Sequence, residues 1–124
     1  MKFYECKTCG NIMVLFEDSG VIPMCCGSPM KDLTPLVEDN GKEKHVPVIT
    51  VNGNTVTIKV GETPHPMMDE HYIKWIMLET NMGEYKRYLK PGMEPTITFN
   101  LVDGEHPVSA YEYCNIHSLW SKQV

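Results

Sequence analysis

Several things are missing from this chain of 124 residues, and each absence excludes something. Nowhere do apolar residues run for the roughly 20 positions that a membrane-spanning helix requires, so no membrane span is expected. There is no basic excess: Lys and Arg number 11 against 16 Asp and Glu, a net charge of −5. That is the wrong sign for a nucleic-acid-binding module. The opening stretch Met1-Lys2-Phe3-Tyr4-Glu5-Cys6 lacks the apolar segment of a secretory leader, so the expected location is the reducing cytoplasm. No internal repeat and no low-complexity tract is present. Helical periodicity is also absent from every long stretch, although Met67 to Tyr72 has room for one helical turn. Hydrophobic residues make up 42% of the chain, enough for a modest core and too many for wholesale disorder.

Cysteine is what the chain has in an informative pattern. There are five, an odd number, so disulfides cannot use every thiol. Cys6, Cys9, Cys25 and Cys26 crowd the N-terminus, and Cys114 stands alone near the other end. The composition changes near Leu36, where Thr34-Pro35-Leu36-Val37-Glu38-Asp39-Asn40-Gly41-Lys42 reads as a polar connector. A segment ending there falls below the roughly 40 residues at which a chain usually folds on its own core. Cys6-x2-Cys9 forms a knuckle that aims two thiols at one point. The adjacent pair Cys25-Cys26 completes a set of four, suited to a tetrahedral zinc or iron ion. Adjacent ligands are cramped, so that half of the tetrahedron is expected to be distorted. Four thiols without metal, or a redox disulfide at the knuckle, are the competing readings. Spacing does not choose between iron, a one-electron carrier, and zinc, a strut.

The remainder reads as β-structure. Thr55 to Val60, Thr96 to Leu101 and Pro107 to Cys114 alternate polar and apolar residues. Ile73, Trp75 and Met77 alternate with Tyr72, Lys74 and Ile76 in a more apolar strand, and Glu84 to Lys90 gives a weaker one. His45 to Val51 is a further β-branched run, and Asn52-Gly53 after it predicts a hairpin. Short strands punctuated by turns imply an antiparallel sandwich or barrel, with His45, His65 and Cys114 near strand ends.

A second constellation lies in this half. Cys114-Asn115-Ile116-His117 puts a thiol and an imidazole within reach of one ion, and His65 and His71 flank a Pro-containing turn. Taken singly, each histidine is more often a surface or core residue than a ligand, and a single cysteine is usually a small buried hydrophobe. His106, in a turn after Asp103-Gly104, reads as exposed and unliganded. Met67-Met68 reads as core filling rather than a copper-thioether site. A cupredoxin-like electron carrier also uses Cys-x2-His on a β-sandwich, but no Met follows His117. A zinc-stapled, non-enzymatic binding module is the other alternative.

With these motifs on the page, the sequence resembles desulfoferrodoxin, the two-iron-centre superoxide reductase family, over nearly its whole length. Cys6-x2-Cys9 with Cys25-Cys26 resembles the desulforedoxin domain. Glu43-Lys44-His45-Val46-Pro47, His65-Pro66-Met67 with His71, and Tyr113-Cys114-Asn115-Ile116-His117 resemble the neelaredoxin-type catalytic domain. The resemblance implies a domain over 1–36 with an Fe(Cys)4 centre and an immunoglobulin-like antiparallel β-sandwich over 37–124. It implies a second iron held by His45, His65, His71 and His117 in a square plane, with Cys114 as axial thiolate. Glu43 would then be the carboxylate that closes the sixth position in the ferric resting state, and Lys44 the cation beside the open site. The implied reaction is one-electron reduction of superoxide to hydrogen peroxide without oxygen evolution. A rubredoxin-like electron donor and a homodimer are implied as well.

Overall fold

The computed structural model describes residues 1–41 and 44–124. Glu43, an expected catalytic residue, lies outside the described residues. These form two compact units, Met1–Thr34 and Pro35–Val124. Among the described residues all regular structure is strand.

In the first unit, β1 (Phe3–Glu5) lies between β2 (Ile12–Val14) and β5 (Lys31–Asp32), all antiparallel. A separate hairpin joins β3 (Met24–Cys25) to β4 (Ser28–Pro29). None of these strands was legible in the sequence, because two or three residues are too few to show an alternating pattern. Tyr4, Cys6 and Met30 form a small core here, with Leu15 and Cys25 packed on it, and Phe3 and Leu33 are buried as well. Burial on that scale does not offset the conformational entropy of ordering such a segment, so the unit depends on a cross-link.

The second unit is an antiparallel β-sandwich of the expected immunoglobulin-like kind. One sheet has the order β10-β7-β6, from β6 (Pro47–Asn52), β7 (Thr55–Val60) and β10 (Thr96–Asn100). The other has the order β12-β11-β8-β9, from β8 (Ile73–Thr80), β9 (Glu84–Tyr88), β11 (Pro107–Cys114) and β12 (Ser118–Gln123). Val56, Ile58 and Val60 of β7 alternate inward and meet Ile76, Leu78, Phe99 and Ala110 in one core.

Four local expectations are corrected. The hairpin turn between β6 and β7 is Gly53-Asn54, one residue later than read, with Asn52 paired to Thr55. Only Gly53 has positive φ, at 60°, so glycine at the first turn position decides the geometry. Met67 to Tyr72 is not a helical turn; Met68 and His71 exchange backbone hydrogen bonds at 2.9 and 3.0 Å as an isolated bridge. The strand β12 was not foreseen, because Leu119, Trp120 and Ser121 are buried in succession and break the alternation. In β8, Ile73 does not share a face with Trp75 and Met77. Pairing passes from Tyr113 with Trp75 to Cys114 with Ile73, skipping Lys74. This bulge turns Ile73 into the core beside Cys114, while Trp75 stacks on Tyr113 at 5.6 Å.

Glu105 is a buried structural carboxylate. It accepts hydrogen bonds from the Thr80 hydroxyl (2.6 Å), the Tyr85 hydroxyl (2.9 Å) and the Val102 N–H (3.3 Å). These bonds, the Thr80 one foremost, hold its pKa below the ordinary carboxylate value against the opposing effect of burial. The folded chain therefore holds this proton less readily than the unfolded chain, and the stabilisation is complete above the ordinary carboxylate pKa and lost as pH falls through the folded value. Glu105→Gln should lower the urea midpoint at pH 7, with the gap to wild type narrowing below about pH 4.

Candidate metal centres

Two clusters of ligating side chains are present among the described residues. In the first, Cys6 follows β1 and opens a tight knuckle. Its N–H donates to Asn11 O (2.9 Å), its carbonyl accepts from Gly10 N–H (2.9 Å), and its Sγ lies 3.5 Å from the Cys9 N–H. Cys25 ends β3, and Cys26-Gly27 forms the turn to β4 with φ of 53° and 75°. Two successive positive φ values define the tight hairpin turn that lets neighbouring cysteines present their sulfurs together. The Sγ atoms of Cys9 and Cys25 are 3.6 Å apart. A disulfide needs about 2.05 Å, whereas a tetrahedral ion with bonds of about 2.3 Å needs sulfur–sulfur edges of about 3.8 Å. All five cysteines are free, so the disulfide reading is set aside. The Cys9 N–H foremost lowers the Cys6 pKa to about 6. Crowding by the sulfurs of Cys9, Cys6 and Cys25 pushes Cys26 up to about 12. Four thiolates together require a cation among them.

The second cluster is built from four segments at one end of the sandwich. His45 immediately precedes β6, and the Asp39 carboxylate accepts both its N–H (2.6 Å) and that of Val46 (3.2 Å). His65 follows the turn after β7, and its Nδ1 lies 2.7 Å from Pro66 O. That contact directs the Nδ1 proton outward and leaves Nε2 for a metal. His71 is fixed by the reciprocal bonds to Met68. Cys114 ends β11, and the three residues Asn115 to His117 lead to Ser118 at φ 70°, paired back to Cys114. This tight loop sets the Cys114 Sγ 3.8 Å from His117 Nδ1.

The four imidazoles form a closed circuit. Centroid separations are 4.5 Å for His45–His65, 4.6 Å for His65–His71, 5.1 Å for His71–His117 and 4.8 Å for His117–His45. His45 and His71 lie across it at 6.5 Å. Ligand atoms of His45, His65, Cys114 and His117 all lie within 4.8 Å of one another. His71 stands outside that tighter group and occupies the corner opposite His45. Soft sulfur with several imidazoles is a donor set for iron, copper or zinc, but four imidazoles exceed the two that the cupredoxin reading requires. His45, His65 and Cys114 are buried and His117 is exposed, so the cluster is sealed behind and reaches solvent at one side. Lys44, next to His45, is half-buried, with Nζ 3.5 Å from Gly41 O. His106 is exposed, as expected, and its N–H donates to Asn81 rather than joining the cluster.

The desulfoferrodoxin family profile matches residues 37–123. A desulfoferrodoxin homologue from Archaeoglobus fulgidus is 45% identical over 120 residues, covering 97% of this chain and 94% of that protein. The chain belongs to the desulfoferrodoxin family. Among solved structures, the superoxide reductase of Treponema pallidum superposes with a TM-score of 0.83 at 32% identity, covering 98% of this chain and 97% of that one. The one-iron superoxide reductase of Giardia intestinalis matches with a TM-score of 0.58 at 35% identity, covering 67% of this chain and 98% of that one. Two iron centres, Fe(Cys)4 and Fe(His)4(Cys), follow for this desulfoferrodoxin-family chain.

Sequence reasoning missed the residues that hold the ligands. Asp39 was read only as part of a connector. Gly61 was not singled out, yet its φ is 79° and a Cβ there would lie 2.4 Å from Lys44 O, so only glycine lets the Lys44–His45 segment approach β7. Trp120 stacks on His45 at 4.6 Å and 12° and donates its indole N–H to His117 O. Glu112 is fully buried in the inward row of β11 with Cys114. Burial first, and the Asp39 charge second, hold its pKa well above the ordinary value. Asn115 accepts the Tyr72 N–H on its side-chain oxygen (2.9 Å), donates its amide N–H to Glu70 O (3.1 Å), and donates its backbone N–H to Tyr72 O (3.2 Å). It ties the His71 turn to the Cys114 loop. Asn115→Ala should speed loss of iron from the histidine centre to a chelator by about 10-fold, followed by its absorption band, with the four-cysteine band unchanged.

Proposed function

We propose that this chain is a superoxide reductase: superoxide, one electron and two protons give hydrogen peroxide, and no oxygen is released. The observation that carries this reading is the circuit of four imidazoles around the buried Cys114 thiol, sealed at His45 and His65 and reaching solvent at His117. Ferrous iron, when bound there, supplies the electron. His45, His65, His71, His117 and Cys114 would hold it, and the exposure of His117 would let a small anion reach it from solvent. Four neutral imidazoles and a single thiolate do not cancel a divalent charge, so the site attracts an anion although the chain carries −5 overall.

Lys44 adds to that local field. Its part is to draw superoxide in and to order the water that protonates the product. Glu43, beside it in sequence, supplies a carboxylate that shields the site between turnovers.

The working division is a domain over 1–36 that stores an electron at Cys6, Cys9, Cys25 and Cys26, and a catalytic domain over 37–124. The match of the Giardia protein to two thirds of this chain supports confining the chemistry to one of the two. Exposure of Cys9 and Cys26 supports electron delivery by a small rubredoxin-like carrier. Five free cysteines suit the cytoplasm, and the family resemblance supports a homodimer.

Anaerobic stopped-flow mixing of the reduced protein with superoxide tests the reading. One peroxide per electron with no gas is expected; oxygen evolution would make the chain a dismutase instead. Lys44→Ala should slow the second-order step by about 10-fold or more and flatten its dependence on ionic strength, with both irons retained. Cys114→Ser should abolish the thiolate-to-iron charge-transfer band of the histidine centre; an unaltered visible spectrum would remove Cys114 from the ligand set.

A further inference from the structure

Among the described residues the sandwich buries two carboxylates, and they are treated in opposite ways. Glu105 is held by three hydrogen bonds. Glu112 has no exposed surface, and among the described residues neither of its oxygens accepts a hydrogen bond. A buried carboxylate that accepts no hydrogen bond is destabilising unless a cation or a strong donor compensates it. What Glu112 does have is a neighbour: its Oε1 lies 3.5 Å from Nδ1 of His45. His45 is gripped on its ring face by Trp120, which pairs directly with Glu112 across β11 and β12.

We infer that Glu112 is a positioning residue for the histidine–cysteine iron, accepting the Nδ1 proton of His45 so that Nε2 is the nitrogen given to the metal. The inference deepens the proposed site and rests on that reading only for the presence of a metal there. An imidazole bound to a cation through Nε2 has a more acidic and more strongly donating Nδ1–H. Loading the site therefore supplies the positive partner that the Glu112 carboxylate lacks. Reciprocally, the carboxylate would make His45 a stronger donor and add negative charge next to a metal ligand, which would favour the ferric over the ferrous state of a bound iron. Trp120 fixes the ring plane, Asp39 fixes the backbone, and Glu112 fixes which nitrogen faces inward.

The test uses the full-length chain loaded with zinc in place of iron, which gives a diamagnetic protein, and the variants Glu112→Gln and Glu112→Ala. Long-range proton–nitrogen NMR of labelled histidines should show His45 protonated on Nδ1 and metal-bound through Nε2, with the Nδ1 proton strongly deshielded in the wild type and less so in Glu112→Gln. Iron affinity at this centre should fall by about 10-fold in Glu112→Gln and towards 100-fold in Glu112→Ala, and the iron midpoint potential should move positive in both. The four-cysteine absorption band and circular dichroism report that the fold is intact; should Glu112→Ala not fold, the isosteric Gln variant decides. His45 bound through Nδ1, or an affinity within twofold of wild type together with an unmoved potential, would overturn the inference. None of these readouts involves superoxide, so a chain that evolved oxygen or failed to turn over would refute the proposed function and leave this result standing.

Discussion

A ring nitrogen can be reserved for a metal only if the other nitrogen, or the backbone behind it, is held by something else. Most of the local structure around the second centre serves that constraint. Pro66 O takes the far nitrogen of His65, Asp39 clamps the peptide groups of His45 and Val46, and Met68 locks the backbone of His71. Asn115 binds the segment before β8 to the loop after β11. The sandwich itself contributes something simpler. It brings the start of β6, the end of β7, the start of β8 and the end of β11 to one edge, and it provides a core into which Cys114 can be sunk. Precision then comes from loops that are short, bridged and tied to one another.

Both centres are arrangements that the chain tolerates for the sake of a cation. Packing four sulfurs together leaves Cys26 holding its proton firmly while Cys6 gives its proton up readily, a split that a metal ion resolves by taking all four as thiolates. The second unit has a real hydrophobic core and does not depend on metal for its fold in the same degree. The first unit, with only a handful of buried apolar side chains among the described residues, has its folding and its metal binding joined in a single equilibrium.

What the sequence disclosed and what it withheld divide along physical lines. Strands that alternate against one solvent face, such as Thr55–Val60 and Pro107–Cys114, were legible because their pattern records burial directly. Strands in the first unit were invisible, being too short for any period, and β12 was hidden by three consecutive buried residues. The turn at Gly53-Asn54 was misplaced by one residue because Asn and Gly both tolerate positive φ, and only the register shows which one uses it. The ligands themselves were recognisable because cysteine and histidine at set spacings are uncommon. Their supports were not, since Asp39, Gly61, Glu112 and Asn115 look like ordinary loop or strand residues until distant segments are brought beside them. The reversal of facing in β8 at Lys74 is of the same sort, since a single skipped residue leaves no mark in composition.

The sulfurs of the first centre are unequally sheltered: Cys6 is sunk in the small core, Cys25 is intermediate, and Cys9 and Cys26 stand at the surface. Such a centre has a front and a back. Any exchange of electrons with solution is shortest through the front. The same front is where a dissolved oxidant such as peroxide meets sulfur first. The two surface cysteines are thus open to exchange and to corrosion alike, while Cys6 is sheltered from both.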